Sequence, residues 1–293
     1  MNPMTALVVL YGELAAAWRE LPLEPFARGL LKTALVFILF FAIIYSFERA
    51  FSVRARYRSQ LFLNDLVYWF YYCAGVHRLL FLVALFAVLE HPLSFLDLKL
   101  LVPLPFAVQA ILYLVLIDFV SYWTHRAQHH FRLLWAFHTT HHSQESVSFA
   151  TSARLHPVDR LLPDLVTYVV LRIIGIDPLT WLPLALAYDF LGALIHSQVP
   201  WKYGPLYKVF VSPGFHAYHH SVDPAHHNKH FSGVFPVWDH LFGTAVAETE
   251  PAPTRFGLEQ LKSISFWATL TAPFALLCKF YIRRERTKET AAI

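Results

Sequence analysis

The chain carries little charge and almost no cysteine. Only 15% of its 293 residues are Asp, Glu, Lys or Arg, whereas a soluble domain usually carries about a quarter. Set against 56% hydrophobic residues, that deficit argues against an ordinary water-soluble domain and makes lipid part of the expected solvent. The two cysteines, Cys73 and Cys278, each lie within an apolar stretch. They exclude a disulfide framework and a thiolate metal site, and read as small packing residues. No flavin or nicotinamide fingerprint is present, so any reducing equivalents are expected from a separate reductase, cytochrome or ferredoxin-type donor. His-Glu-x-x-His is missing too, which weighs against a membrane zinc hydrolase, although Glu145 lies near a histidine triplet. The Glu plus Glu-x-x-His ligands of soluble di-iron bundles are also lacking. There is no solenoid repeat, no low-complexity linker and little strand alternation. No cleavable signal peptide is evident, because Glu13 interrupts the first apolar stretch and no basic region precedes it.

What is present is a series of long apolar runs. Leu30–Phe47, Leu66–Leu89 and Phe106–Tyr122 are membrane-span candidates, the second interrupted by His77 and Arg78. Leu161–Ile174 and Leu179–Ile195 flank Gly175-Ile176-Asp177-Pro178, a turn signal that makes the pair a hairpin dipping into the membrane. Ile264–Ile282 is a last apolar stretch, expected to lie along the interface or re-enter. The fold class expected is all-α, an integral membrane helical bundle with a cytosolic histidine-rich cap. Its expected divisions are an N-terminal membrane helix region (1–60), a catalytic unit (61–245) and a C-terminal apolar helix with a basic tail (246–293). The formal charge is +4, with basic clusters at Arg49–Arg58 and Arg283–Lys288 beside apolar stretches. They suit anionic headgroups rather than nucleic acid. Placing Arg49–Arg58 in the cytoplasm brings His125 and His196 to the cytoplasmic face.

Seventeen histidines are present, and fifteen of them fall between His125 and His240. Four groups stand out: His125 with His129, followed by His130; His138, His141 and His142; His196 alone; and His216, His219 and His220. On a helix, positions i, i+3 and i+4 share a face. His129 is therefore about 40° from His125 around the helix and His130 about 140°, so His130 should point away. The nine imidazoles are too many for one metal ion and suit two ions of five or six coordination. Imidazole alone leaves iron, copper and zinc open. Asp118 and Asp189 each precede a histidine by seven residues, on its helix face, and are candidates to orient rings and offset charge. Asn228 and Asp239 are further candidates. His156 reads as an interfacial or supporting residue, while His226, His227 and His230 fall in a polar loop and read as solvated. Trp123, Trp135, Phe137, Trp201, Tyr203 and Tyr207 could line a lipid slot or form an interfacial belt.

The motifs Asp118 with Tyr122-Trp-Thr-His-Arg-Ala-Gln-His129, Trp135-Ala-Phe-His-Thr-Thr-His-His-Ser143, Ile195-His-Ser197, His216-Ala-Tyr-His-His-Ser221 and Trp238-Asp-His-Leu-Phe-Gly-Thr244 resemble the fatty acid hydroxylase/sterol desaturase superfamily. The resemblance runs from about Leu61 to Thr244. It implies about four core membrane helices and a cytosolic-side di-iron centre held by the nine histidines. It also implies O2-dependent hydroxylation or desaturation of a sterol, fatty acyl or related lipid. The alternative is a non-catalytic membrane metal-binding or transport protein, which would place polar groups at the midplane of several spans.

Overall fold

A computed structural model describes residues 23–51, 59–73, 76–77, 80, 88–89, 92–176, 182–201, 203–246, 253–258, 261 and 265–290. Among them the secondary structure is helical, with a single isolated antiparallel bridge between Ser221 and Phe256. The principal helices are α1 (Leu23–Ala50), α2 (Gln60–Cys73), α3 (Phe106–His130), α4 (Arg132–His142), α5 (Pro157–Ile174), α6 (Leu182–Ile195), α7 (Pro213–His219), α8 (Val237–Leu241) and α9 (Phe266–Thr290). Much of the second span candidate, and the basic segment after Phe51, lie outside the described residues.

Helix α3 carries neither Gly nor Pro along its 25 residues and starts directly after Pro105. It is the described helix long and apolar enough to cross a membrane. At about 1.5 Å per residue it is about 37 Å long, against about 30 Å of hydrocarbon. His125 and His129 lie in its final two turns. Only 28% of its most apolar window is fully buried, with Phe106, Val108 and Ile111 exposed while Tyr113 joins a core cluster with Ile174 and Ile176. Exposed Leu31, Leu35, Ile38 and Leu39 on α1, Phe70 on α2 and Trp267 on α9 extend this apolar skin. Exposed apolar surface marks contact with a partner or a membrane when it is extensive.

The expected hairpin after Pro157 has two arms of 18 and 14 residues, the second well short of the roughly 20 residues a span needs. The first arm ends at Gly175, whose φ of 78° closes a left-handed cap in which Ile176 N–H and Gly175 N–H both reach Leu171 O. A Cβ there would sit 2.6 Å from Lys99 Cα, so glycine is required by both conformation and space. Arg172 locks the same end with a two-pronged ion pair to Asp97, at 2.9 and 2.6 Å. Asp177 and Pro178 of the turn lie outside the described residues.

Helix α4 is the centre of the molecule. Extended Phe131 reverses the chain between α3 and α4, and residues 136–142 are all buried. Helix α9 packs on the back of α4, where Thr140 Oγ donates to Thr269 O and Phe137 meets Phe274. The apolar core around Phe149, joined by Phe41, Phe62 and Trp69 edge to face, ties α1 and α2 to the short turn at Phe149–Ala153. Within it Arg154, fully buried, pairs with Asp65 at 2.8 Å and donates to Thr140 O and Ser143 Oγ. A buried ion pair therefore fixes the end of the helix that carries three histidines.

Candidate metal centre

The nine histidines converge from four segments of the chain: the end of α3, α4, the residue after α6, and α7. His125, His129, His138, His142 and His219 form one set; His141, His196, His216 and His220 form a second, and within each set the nearest ring nitrogens lie within 4.8 Å of one another. The two sets abut, with the His142 and His220 ring centroids 4.8 Å apart. The histidine triplets do not each serve one position. Each gives its i,i+4 pair to one set and its middle member to the other: His138 and His142 against His141 on α4, His216 and His220 against His219 at α7. A three-residue face spans about 60° between its middle member and its nearer neighbour, enough for one helix to reach two adjacent centres.

Hydrogen bonds on the outer ring atoms fix the inner ones. His125 Nδ1 donates to Phe231 O (3.0 Å), His219 Nδ1 to Lys229 O (2.8 Å) and His196 Nδ1 to Gly192 O (2.6 Å). His138 Nδ1 bonds Asp159 Oδ2 at 2.9 Å. Carbonyl oxygens only accept, so these first three rings carry their proton on Nδ1 and present Nε2 as a lone pair. Nε2 of His125, His138 and His219 is buried with no protein partner. In addition, the Nε2 atoms of His129 and His142, His141 and His196, His196 and His216, and His216 and His220 lie 3.0–3.2 Å apart. Donors about 2.0–2.1 Å from a common ion at tetrahedral to right angles would be roughly 2.8–3.4 Å apart. Inward lone pairs and that spacing fit transition-metal ions at the two sets, with imidazole suiting iron, copper or zinc.

Burial also favours the neutral form of several of these rings. Burial, reinforced by neighbouring imidazoles, pushes His141, His142, His216, His219 and His220 well below the usual histidine range, and His196 down to about 4. Neutral imidazole is the form that binds metal.

Around this centre the expected supporting residues divide. Asp239, fully buried, accepts from Phe231 N, Ser232 N and Thr244 Oγ. It holds the loop whose Phe231 carbonyl orients His125. Asp118 does not meet an imidazole. It accepts from Val234 N, Phe235 N, Trp238 Nε1 and Tyr188 Oη, and so fastens the same loop and α8 to α3. Seven residues place it two turns before His125, about 10 Å along the axis, beyond direct reach of that ring. Asp189 faces a different cavity of about 100 Å3, with Arg160, Asp164 and His77. Asn228 is exposed, at φ 57°, and lines an opening beside His129.

His130 is exposed, meets Phe131 edge to face and belongs to neither set. His156 caps α5, accepting from Val158 N and donating to Leu270 O. His230 departs from its expectation as a solvated loop residue. It is wholly buried, donating to Phe215 O and accepting from Val246 N, and serves as a loop brace outside both sets. His227 is exposed and His226 partly so. Of the aromatics, Trp135 packs on His129 and His142, Phe137 on His156, and Trp201 on Phe47. Tyr203 lines an apolar cavity of about 290 Å3 between α6 and residues 206–211 and 233–234; Trp123 and Tyr207 are exposed.

Sequence reasoning missed Asp159. It is the carboxylate against a candidate ligand ring, and Gln128 Nε2 steadies its other oxygen at 2.7 Å. Its only signal was its place at the start of α5, next to His156-Pro157; the proximity to His138 is tertiary.

The fold and these sets define a helical protein with a buried, all-histidine candidate metal centre. Residues 110–244 match the family model for fatty acid hydroxylase, and the chain carries a fatty acid hydroxylase domain there, with homologues across the same superfamily. Ornithine lipid hydroxylase OlsE of Rhizobium tropici is 31% identical over 185 residues, covering 63% of this chain and 56% of the relative. Human alkylglycerol monooxygenase is 32% identical over 170 residues (52% and 37%). The putative Delta(7)-sterol-C5(6)-desaturase 2 of Arabidopsis thaliana is 30% identical over 138 residues (45% and 46%). The chain thus spans about half or less of the length of these relatives. No solved structure matches it.

Proposed function

We propose that this chain is a membrane-bound oxidoreductase that hydroxylates or desaturates a lipid, with two iron ions held by the nine histidines and electrons supplied by a separate donor protein. The observation that carries this reading is the division of nine imidazoles into adjacent sets of five and four, with one ring nitrogen of each close to the others of its set. Iron bound there would supply the redox chemistry that couples O2 reduction to oxidation of a lipid C–H bond. The protein's own part is positional. Phe231, Lys229 and Gly192 carbonyls and the Asp159 carboxylate lock four of the rings, and Asp239 and Asp118 lock the loop that carries Phe231. Seven of the nine histidines are buried, and that burial excludes water from the reacting region. The apolar cavity beside Ile195 and Val211 offers room for a hydrocarbon chain near the four-histidine set.

Two iron ions rather than one zinc is the reading favoured by donor number, since a structural zinc is satisfied by four ligands. In this reading 61–245 is the catalytic unit, the bundle crosses the membrane several times, and the metal centre faces the cytoplasm. Ser143 and Ser221 are buried, so topology is better read at exposed Asp223. A single cysteine there, in a chain with Cys73 and Cys278 replaced by Ser, should react only from the cytoplasmic side. The central test is metal analysis of the purified chain with lipid mass spectrometry under 18O2. About two irons per chain and an 18O-labelled or desaturated lipid product are expected; one tightly held zinc, no iron and no oxidised lipid would remove the proposal.

A further inference from the structure

A second cavity, of about 320 Å3, opens beside the five-histidine set and is lined by Arg126, His129, His130, Asn228, Phe231 and Thr244. Its chemistry differs from that of the apolar cavity. Arg126 brings a permanent positive charge, Asn228 an amide and His130 a ring, and no acidic side chain lines it. The Thr244 hydroxyl is already engaged with Asp239 and Tyr122. The guanidinium is pre-positioned: Nη1 donates to Tyr122 Oη at 3.0 Å, and its carbon lies 5.3 Å from the centre of the Trp123 ring. The hydrogen bonds it makes to protein both leave from Nη1, so Nε and Nη2 remain to grip an oxyanion by two parallel bonds. Asn228 holds a left-handed φ of 57°, a conformation that a side chain other than Asn or Asp rarely adopts.

Location narrows the ligand. Arg126 and His129 follow about 20 residues of apolar helix, the length that crosses the hydrocarbon, and so stand at headgroup depth. Exposed Trp123, against Arg126, and exposed Phe131, against His130, stand beside lining residues of the opening and offer apolar surface suited to acyl chains. Because His129 lines both the cavity and the metal set, whatever fills the cavity lies against the reacting centre.

We propose that this cavity holds the anionic headgroup, a phosphate or carboxylate, of the lipid that is oxidised, with Arg126 and Asn228 as its donors. The inference rests on the function proposed above and specifies its substrate class: a lipid with an acidic polar group, oxidised near that group rather than at the far end of its chain. The test begins with binding, which needs no turnover. The iron-loaded full chain in detergent is titrated with dihexanoyl phosphatidic acid, dihexanoylglycerol and inorganic phosphate. Phosphatidic acid should bind at least tenfold more tightly than the other two. Arg126→Gln should weaken it at least tenfold and Asn228→Gly, which keeps the backbone geometry, about threefold, with dihexanoylglycerol binding and iron content unchanged. Oxidation assays in nanodiscs should then show the loss for acidic lipids as a raised KM with kcat largely retained.

Equal binding of dihexanoylglycerol and phosphatidic acid would overturn the proposal. Binding of inorganic phosphate as tight as that of phosphatidic acid would overturn the lipid assignment in favour of a soluble anion. If Arg126→Gln left lipid binding intact but slowed reduction by a ferredoxin or cytochrome donor, the surface would be a donor-docking site and the proposal would fall. Should Arg126→Gln not fold, Asn228→Gly carries the same comparison. If no lipid of either headgroup is oxidised while the binding preference holds, the proposed function fails and the anion site stands.

Discussion

Replacement of Asp159 by Asn separates the two histidine sets. The carboxylate is buried, with one oxygen on His138 Nδ1 at 2.9 Å and the other on Gln128 Nε2 at 2.7 Å. Asparagine keeps the size but supplies one acceptor and two donors where two donors already converge. Either His138 or Gln128 then faces an N–H. Leaving one buried donor unsatisfied costs about 1–3 kcal/mol, and loss of a carboxylate behind a ligating imidazole typically lowers metal affinity about 10- to 100-fold, which is about 1.4–2.7 kcal/mol. His138 belongs to the five-histidine set alone. Iron titrated against a competing chelator should therefore show one site weakened by one to two orders of magnitude and the other unchanged, and dialysis should leave about one iron per chain. Asp164→Asn is the matched control. Asp164 lies on the same helix, but its carboxylate pairs with His77 and Arg160, so both irons should stay. Two irons of unaltered affinity in Asp159→Asn, or equal loss from both sites, would refute the reasoning.

Three further outcomes follow from the same geometry. His129→Ala should abolish turnover and lower bound iron while the chain still folds, whereas His130→Ala, which removes an exposed ring, should keep all iron; the reverse pattern would show the α3 assignment to be wrong. Arg154→Ala strands Asp65, which is wholly buried, and should destabilise the chain by about 3–5 kcal/mol in a denaturation series; a change under 1 kcal/mol would mean that the pair does not anchor α4. The metal-free chain should lose stability as pH falls. His196 is neutral when folded, with its pKa lowered to about 4, whereas in the unfolded chain it takes a proton near 6.5. Its stabilising contribution is complete above about 6.5 and is lost progressively toward 4. This one ring accounts for about 2 kcal/mol between pH 7 and 5; a melting temperature flat over that interval would contradict its burial as a neutral group.

Much of the centre was legible before folding is considered, because helical periodicity is a local property. The spacing of His125 and His129, of His138 and His142, and of His216 and His220 places each pair on one face of a helix, and the same arithmetic turns His130 outward. The length and apolarity of Phe106–His130 mark it as a membrane-span candidate on composition and rise per residue alone. Gly175 announced the end of α5.

Other features depend on contacts between segments far apart in the chain. The split of each triplet between two sets arises because α4 and α7 meet with both faces occupied, so that His141 lies nearer His196 and His219 nearer His125 than their own neighbours do. Asp118 was expected to orient an imidazole, but it instead accepts from residues 234–238, 116 to 120 positions away, and from Tyr188. His230 looked solvated within a polar loop, yet that loop folds inward and buries it against Phe215. Asp159 carried no spacing signal, since 21 residues separate it from His138. Sequence periodicity fixes which side chains share a face of one helix. Only the packing of helices decides which face meets which, because the burial and hydrogen bonds that select those pairings exist between segments and not within them.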